Sequence, residues 1–137
     1  MPRFVAVDWN GTVVPFFCEP AYPGALETLA RWRREGVLVA VVSHAHPATI
    51  EADVARTGLE ADEVHGVEEK APAFLELRLR HGHGVVIGDH PADLRAADAA
   101  GLPFYQACLE GQRGMEGRVA AFSDWQELDL LLRAADA

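Results

Sequence analysis

The sequence predicts an α/β chain, a three-layer αβα sandwich on a Rossmann-like, mostly parallel sheet with a minimal cap or none. Three observations predict it. Short β-branched runs alternate with longer amphipathic stretches, the βαβα order that covers both faces of a parallel sheet with helices. The apolar runs Phe4–Val7, Val37–Val42 and Val85–Ile87 are short and unbroken, as strands buried on both faces must be. The amphipathic stretches also share one punctuation, with proline inside the start and glycine past the end.

In chain order, the first strand is Phe4–Val7, ending at Asp8. The first helix runs from Gly24 to about Glu35, with Leu26, Leu29, Ala30 and Arg33 at helical spacing and Gly36 as a left-handed stop. The second strand, Val37–Val42, ends at Ser43, and a helix follows from Pro47 to Thr57 before Gly58. Glu63-Val64-His65 is a weaker strand, followed by a helix from Pro72 to Arg80 before Gly82, with Lys70 at its opening. Val85–Ile87 closes at Gly88-Asp89, and Pro91–Ala100 before Gly101 is the fourth helix. Pro103–Gln106 and Val119–Phe122 are further weak strands, and the three weak strands belong near the sheet edges. Between the last two, Glu110–Gly117 reads as a glycine-rich surface loop. A helix from about Asp124 to Ala134, capped by Ser123 or Asp124, puts Trp125, Leu128, Leu131 and Leu132 on one stripe.

At 137 residues, one domain over 1–137 is the expectation. A hydrophobic share of 50% with 24% charged residues excludes a disordered or low-complexity chain. Twelve Lys+Arg against 21 Asp+Glu leave a formal charge of −9 and no basic run, so neither nucleic acid nor an anionic membrane is the expected partner. Cys18 and Cys108 stand 90 positions apart with no CxxC pair, which excludes a disulfide scaffold or structural zinc site and suits reduced thiols. The start has no signal-peptide apolar stretch, so a soluble, cytoplasmic protein is expected. Eleven of the twelve basic residues are arginines; Lys70 is the single lysine.

In open α/β sheets the ligand crevice lies outside the carboxyl ends of the strands, which makes the strand-terminating residues informative. Here they are Asp8-Trp9-Asn10-Gly11-Thr12, Ser43-His44 and Gly88-Asp89-His90-Pro91-Ala92-Asp93, with Lys70 opening the preceding helix. Carboxylates gathered at one sheet edge repel each other. A hard divalent cation with oxygen ligands relieves that repulsion, and Mg2+ keeps room for waters and a substrate phosphate. A compact ammonium also fits a tight anionic site where a planar guanidinium does not, which gives meaning to the single lysine.

In this order the residues resemble the haloacid dehalogenase-like hydrolases, whose stations are DxDGT, a Ser/Thr after a strand, a Lys, and GDxxxD. The resemblance spans nearly the whole chain. It implies that Asp8 is a nucleophile forming an aspartyl-phosphate, and that Asp8, Asp89 and the Asn10 carbonyl hold Mg2+. Asp93 would support the metal or Lys70, or serve as a helix cap. Ser43 would donate to a phosphate oxygen, with His44 beside it, and Lys70 would neutralise the nucleophile and phosphoryl group. Gly11 and Thr12 would complete a loop whose backbone N–H groups face phosphate.

One position departs from the pattern: the second aspartate of DxDGT is Asn10. In the family's phosphatases that carboxyl protonates the leaving group and then activates water, and an amide does neither. General acid–base help is worth typically about 10²–10⁴-fold. The implied function is therefore Mg2+-dependent hydrolysis of a small phosphorylated substrate or a phosphoprotein, slow unless His44 or His90 substitutes. The alternative is an impaired member that binds phosphate, Mg2+ or a protein partner. Asp-Trp-x-Gly-Thr is also similar to the phosphonoacetaldehyde hydrolases, but their Schiff-base lysine on a cap has no counterpart, since Lys70 is already used. The gaps Asp8–Ser43 and Ser43–Lys70 hold no cap. An open site suggests a neighbouring subunit as cover, with Phe16, Phe17 and Tyr22 either exposed in a monomer and available to pack on a homo-oligomer partner, or packed within their own chain.

Overall fold

The computed structural model describes residues 1–136; Ala137, the last residue of the expected domain, lies outside them. Strands and helices alternate as β1 (Phe4–Val7), α1 (Ala25–Arg34), β2 (Leu38–Ser43), α2 (Pro47–Thr57), β3 (Glu63–Gly66), α3 (Lys70–His81), β4 (Gly84–Gly88), α4 (Pro91–Ala100), β5 (Phe104–Ala107), β6 (Ala120–Phe122) and α5 (Trp125–Ala135). The α/β order and the parallel sheet agree with the sequence reading, and boundaries move by a residue or two. Helix α3 starts at Lys70, ahead of Pro72.

All strand pairings are parallel, in the order β3-β2-β1-β4-β5-β6. The chain builds outward from β1 to β3, returns to β4 on the other side of β1, and builds outward again. That reversal lies between β1 and β4, whose register sets Val7 opposite Ile87. Helices on opposite faces diverge there, leaving a crevice beyond the strands' carboxyl ends. The three weak strands do lie at or beside the edges.

Two cores flank the sheet because side chains alternate along each strand. Val5, Val7, Val39, Val41, Val85 and Ile87 face the layer of α1, α2 and α5. Phe4, Ala6, Ala40, Val42 and Val86 face the layer of α3 and α4. The first layer carries three fully buried indoles, Trp9, Trp32 and Trp125, with Trp125 set against Trp32 and Phe122 at centroid distances of 6.1 and 5.8 Å. Each such side chain contributes on the order of 2–3 kcal/mol through burial.

One helix face is turned from the expected one. The buried residues of α1 are Ala25, Thr28, Leu29 and Trp32, whereas Leu26 and Ala30 are half-buried and Arg33 is exposed. The reason is the indole of Trp32, which takes the core position and donates to Asp129 at 2.7 Å; a stripe through Arg33 cannot do that. Helix α5 keeps its expected face and is capped by Asp124, which accepts from the Glu127 N–H. Among the described residues, no element is inserted between β1 and α1 or between β3 and α3, and no helix is long and apolar enough to cross a membrane.

Candidate active site

The end of β1 carries the chain straight into a tight turn. Gly11 adopts φ 79°, and an added Cβ would lie 2.0 Å from Asp89 Oδ2, so only glycine lets that carboxylate approach. Two indoles brace the turn. Trp9 Nε1 donates to Asp53 Oδ2 on α2 at 2.7 Å, and Trp125 Nε1 on α5 donates to the Thr12 carbonyl at 3.1 Å. Asp53 also accepts from the Cys18 N–H and from Arg56, while Arg56 reaches the Glu19 carbonyl. The segment over the site is thereby tied to α2. Neither Asp53 nor the indoles were singled out for this role from sequence. The only signal was a charged residue on the apolar side of a helical repeat, with its partner 44 positions away.

Asp8, Asn10, Ser43, His44, Lys70, Asp89 and Asp93 line one cavity of about 330 Å³, together with Phe17, Ala45, His90 and Ala92. A larger groove, about 860 Å³, runs between α1 and α2 at the far end of the molecule and contains none of these residues; volume here does not mark the chemistry. Lys70 Nζ donates to Asp8 Oδ1 at 2.8 Å and to Asp93 Oδ1 at 2.7 Å. The second oxygen of Asp93 accepts from the His90 N–H at 3.3 Å, closing a capping box at the start of α4. Asp93 thus combines both expected tasks, helix cap and lysine partner.

Asp8, Asp89 and Asp93 each offer an oxygen, all within 4.8 Å of one another. Burial drives all three above the ordinary carboxylate range. Lys70 opposes this at Asp8, whereas Asp93 adds to it at Asp89 and Asp8 adds to it at Asp93. Burial works against the charge on Lys70 too, but Asp8 and Asp93 outweigh it and hold the ammonium above its usual value. One cation against three crowded carboxylates leaves the set short of positive charge. An all-oxygen donor set with that deficit fits a hard divalent ion such as Mg2+.

Gly11 and Thr12 differ from their expected place. Neither lines the cavity, and their N–H groups are taken, Gly11 by the Val14 carbonyl at 2.7 Å and Thr12 by the Trp9 carbonyl at 3.2 Å. A turn this tight satisfies its own amides, so these residues shape the loop and present no N–H to a phosphate. Thr12 Oγ1 is buried without a partner, as is Asn10 Oδ1; the group Asn10 offers the cavity is therefore its NH2. Ser43 Oγ accepts from the Ala45 N–H at 3.1 Å, leaving its own hydrogen to donate.

The aromatics above the site divide between the two alternatives. Phe16 is 59% exposed, but Phe17 packs partly on the core and lines the cavity, and Tyr22 is half-buried with its hydroxyl donating to Glu110 at 2.6 Å. The flap folds back on its own chain, leaving one exposed ring instead of three. The glycine-rich loop is held by Gln106, whose amide donates to the Arg113 carbonyl and accepts from the Met115 N–H.

Comparison with known proteins agrees with this picture. A family model described as haloacid dehalogenase-like hydrolase matches residues 6–101. The fold is similar to that of D,D-heptose bisphosphate phosphatase from B. bronchiseptica, solved with magnesium and phosphate, at a TM-score of 0.73 and 18% identity over 96% of this chain and 99% of that one. It is also similar to cobalt-bound deoxy-D-mannose-octulosonate 8-phosphate phosphatase from Haemophilus influenzae, at a TM-score of 0.74 and 19% identity over 96% and 88% of the two chains. The corresponding enzyme of Moraxella catarrhalis, solved with magnesium, phosphate and the sugar acid, gives 0.72 and 18% over 96% and 86%. No curated protein sequence matches the chain.

Proposed function

The chain belongs to the haloacid dehalogenase-like hydrolases, and on that premise we propose that residues 1–137 act as one domain, a Mg2+-dependent phosphomonoester hydrolase working through Asp8. The observation that carries this reading is the Asp8–Lys70–Asp93 chain of hydrogen bonds at the switch point of the sheet, with Asp89 completing the carboxylate set. Solved relatives of the same fold that hold magnesium and phosphate support it.

Asp8, Asp89 and the Asn10 carbonyl would hold Mg2+, with Asp93 supporting the set through Lys70. When bound, the ion supplies positive charge to the phosphoryl oxygens and keeps Asp8 ionised. The protein's own groups do the remainder. Lys70 Nζ stands on one oxygen of Asp8, which orients the carboxylate and leaves its other oxygen for phosphorus. The Ser43 hydroxyl and the Asn10 NH2 donate to phosphoryl oxygens as charge gathers there. Asp8 displaces the alcohol, the phosphorus–oxygen ester bond breaks, and an aspartyl-phosphate remains for water to hydrolyse. The open cavity suits a small phosphorylated substrate or a phosphorylated side chain of a protein.

A second reading rests on Asn10, whose amide carries no titratable proton: a protein that binds phosphate and Mg2+ without turning over. The test is p-nitrophenyl phosphate with Mg2+, followed from the first turnover, because this leaving group needs little acid help. One phosphoryl group per chain by intact mass, absent in Asp8→Asn, is the expected result. No Mg2+-dependent product and no covalent phosphate would favour the binding protein.

A further inference from the structure

Resting on that reading, we infer that His44 is the proton-carrying catalytic residue of this site, taking the part that Asn10 cannot play. Donor and acceptor logic separates the two candidate histidines. His90 Nδ1 accepts the Ala92 N–H at 3.0 Å as the N-cap of α4. Its neutral ring must then carry the hydrogen on Nε2, and no lone pair is left to take a proton from water. His46 is spent in the same way, capping α2 through the Ala48 N–H at 3.2 Å. The Nδ1 of His44 faces the Val67 carbonyl at 3.3 Å. A carbonyl only accepts, so Nδ1 bears a hydrogen in either charge state, and in the neutral ring Nε2 is then the nitrogen with a free lone pair. Among the described residues, Nε2 of His44 makes no hydrogen bond.

The ring is held in a built cradle. Val67 N–H donates to the Ser43 carbonyl at 2.8 Å while the Val67 carbonyl accepts from His44, so two adjacent residues are clamped to one. The clamp needs Gly66, where an added Cβ would lie 2.4 Å from the Ala45 carbonyl and 2.7 Å from Pro47 N. The exposed imidazole lines the same cavity as Asp8 and Asn10, where a general base can act on water in the second half-reaction.

The steps balance. In the first half-reaction Asp8 attacks phosphorus, the ester P–O bond breaks, and imidazolium at His44 gives its proton to the departing alkoxide. In the second, water attacks the phosphoryl group, its proton passes to His44 Nε2, the P–O bond to Asp8 breaks, and phosphate leaves with carboxylate and imidazolium restored. The proton taken in the second half is the one given in the next first half.

The decisive variant is His44→Asn, whose side-chain amide can still donate to the Val67 carbonyl but has no Nε2. With p-nitrophenyl phosphate the first-turnover burst is expected at full amplitude, since that alcohol needs no proton, while steady turnover falls about 10²–10⁴-fold. With an alkyl phosphate the burst slows as well. His44→Ala should regain turnover on adding imidazole, and His90→Asn should leave the burst-to-turnover ratio unchanged. Turnover within about twofold of the parent in His44→Asn, loss of the burst in that variant, or no imidazole rescue would each overturn the assignment. So would a parent protein that gives a burst and then stalls, although Asp8 would remain the nucleophile. A parent with neither burst nor product sinks the phosphatase reading itself, which keeps the two failures distinct.

Discussion

Asp53 and Asp129, among the α1, α2 and α5 layer, and Asp8, Asp89 and Asp93, at the carboxyl edge of the sheet, are all aspartates largely withdrawn from water, yet the protein treats them oppositely. Asp53 receives the Trp9 indole, the Cys18 N–H and two nitrogens of Arg56. Asp129 receives the Trp32 indole and the guanidinium groups of Arg133 and Arg31. Hydrogen bonding from Arg56 leads in holding Asp53 down at about 2. Burial alone would raise Asp129, but Trp32 and Arg133 outweigh it and hold it low. The edge carboxylates share one ammonium and are pushed upward instead. Where a carboxylate serves the scaffold, its neutralising charge is built into the chain. Where it lines the candidate site, one ammonium stands against three carboxylates.

Asp8→Asn tests the contrast most severely. Product formation should fall by about 10⁴-fold or more as the nucleophile is lost, while the metal-free melting temperature rises, because one of three crowded carboxylates has gone and Lys70 keeps Asp93 as its partner. A fall in melting temperature would show that the edge set is as structural as Asp53. Conversely, Asp53→Ala or Asp129→Ala should cost about 2–4 kcal/mol in denaturant unfolding by stranding a buried indole N–H and an arginine. Neither loss should be restored by Mg2+.

Titration separates the sets by sign. A folded carboxylate whose pKa lies above its unfolded value binds protons more tightly when folded, so its stabilisation fades as pH rises through the folded pKa. Metal-free protein should therefore lose stability as pH rises above the ordinary carboxylate range, and saturating Mg2+ should flatten that slope. On the acid side the sign reverses. Asp53 is held at about 2, and so is Glu63, where Arg80, His65 and His81 overcome the effect of burial. Their stabilisation is present above the ordinary carboxylate values and is lost as pH falls toward 2, with or without Mg2+. A fall in stability above the ordinary carboxylate range that ignores Mg2+ would remove the distinction. The smallest effect belongs to exposed Phe16: Phe16→Ser should change stability by less than about 0.5 kcal/mol, and a change in solution mass would place that ring at an interface between copies.

Much of this was legible in the chain. Strand runs ending in Asp8, Ser43 and Asp89, and helices that open with Pro47 or Pro91 and stop at Gly58 or Gly101, are short-range patterns that any fold must respect locally. From them came the parallel sheet and most of the residues that line the cavity, the single lysine among them. Less legible were features that depend on a partner's position. Helix α1 turned its face because Trp32 found Asp129, 97 positions away. Gly11 and Thr12 lost their expected N–H groups to carbonyls within their own turn, and only the folded chain decided that Phe17 and Tyr22 turn inward while Phe16 stays exposed.

The sequence by itself determined the order of elements, the carboxylate and lysine stations, and the amide at position 10, because backbone preference and residue chemistry are local. Only the tertiary structure decided which histidine keeps a lone pair: His44 and His90 each follow a station residue in the sequence. What separates them is one hydrogen bond, a carbonyl facing the first and an amide facing the second, and that choice exists only once Val67 and Ala92 have been brought to the two rings.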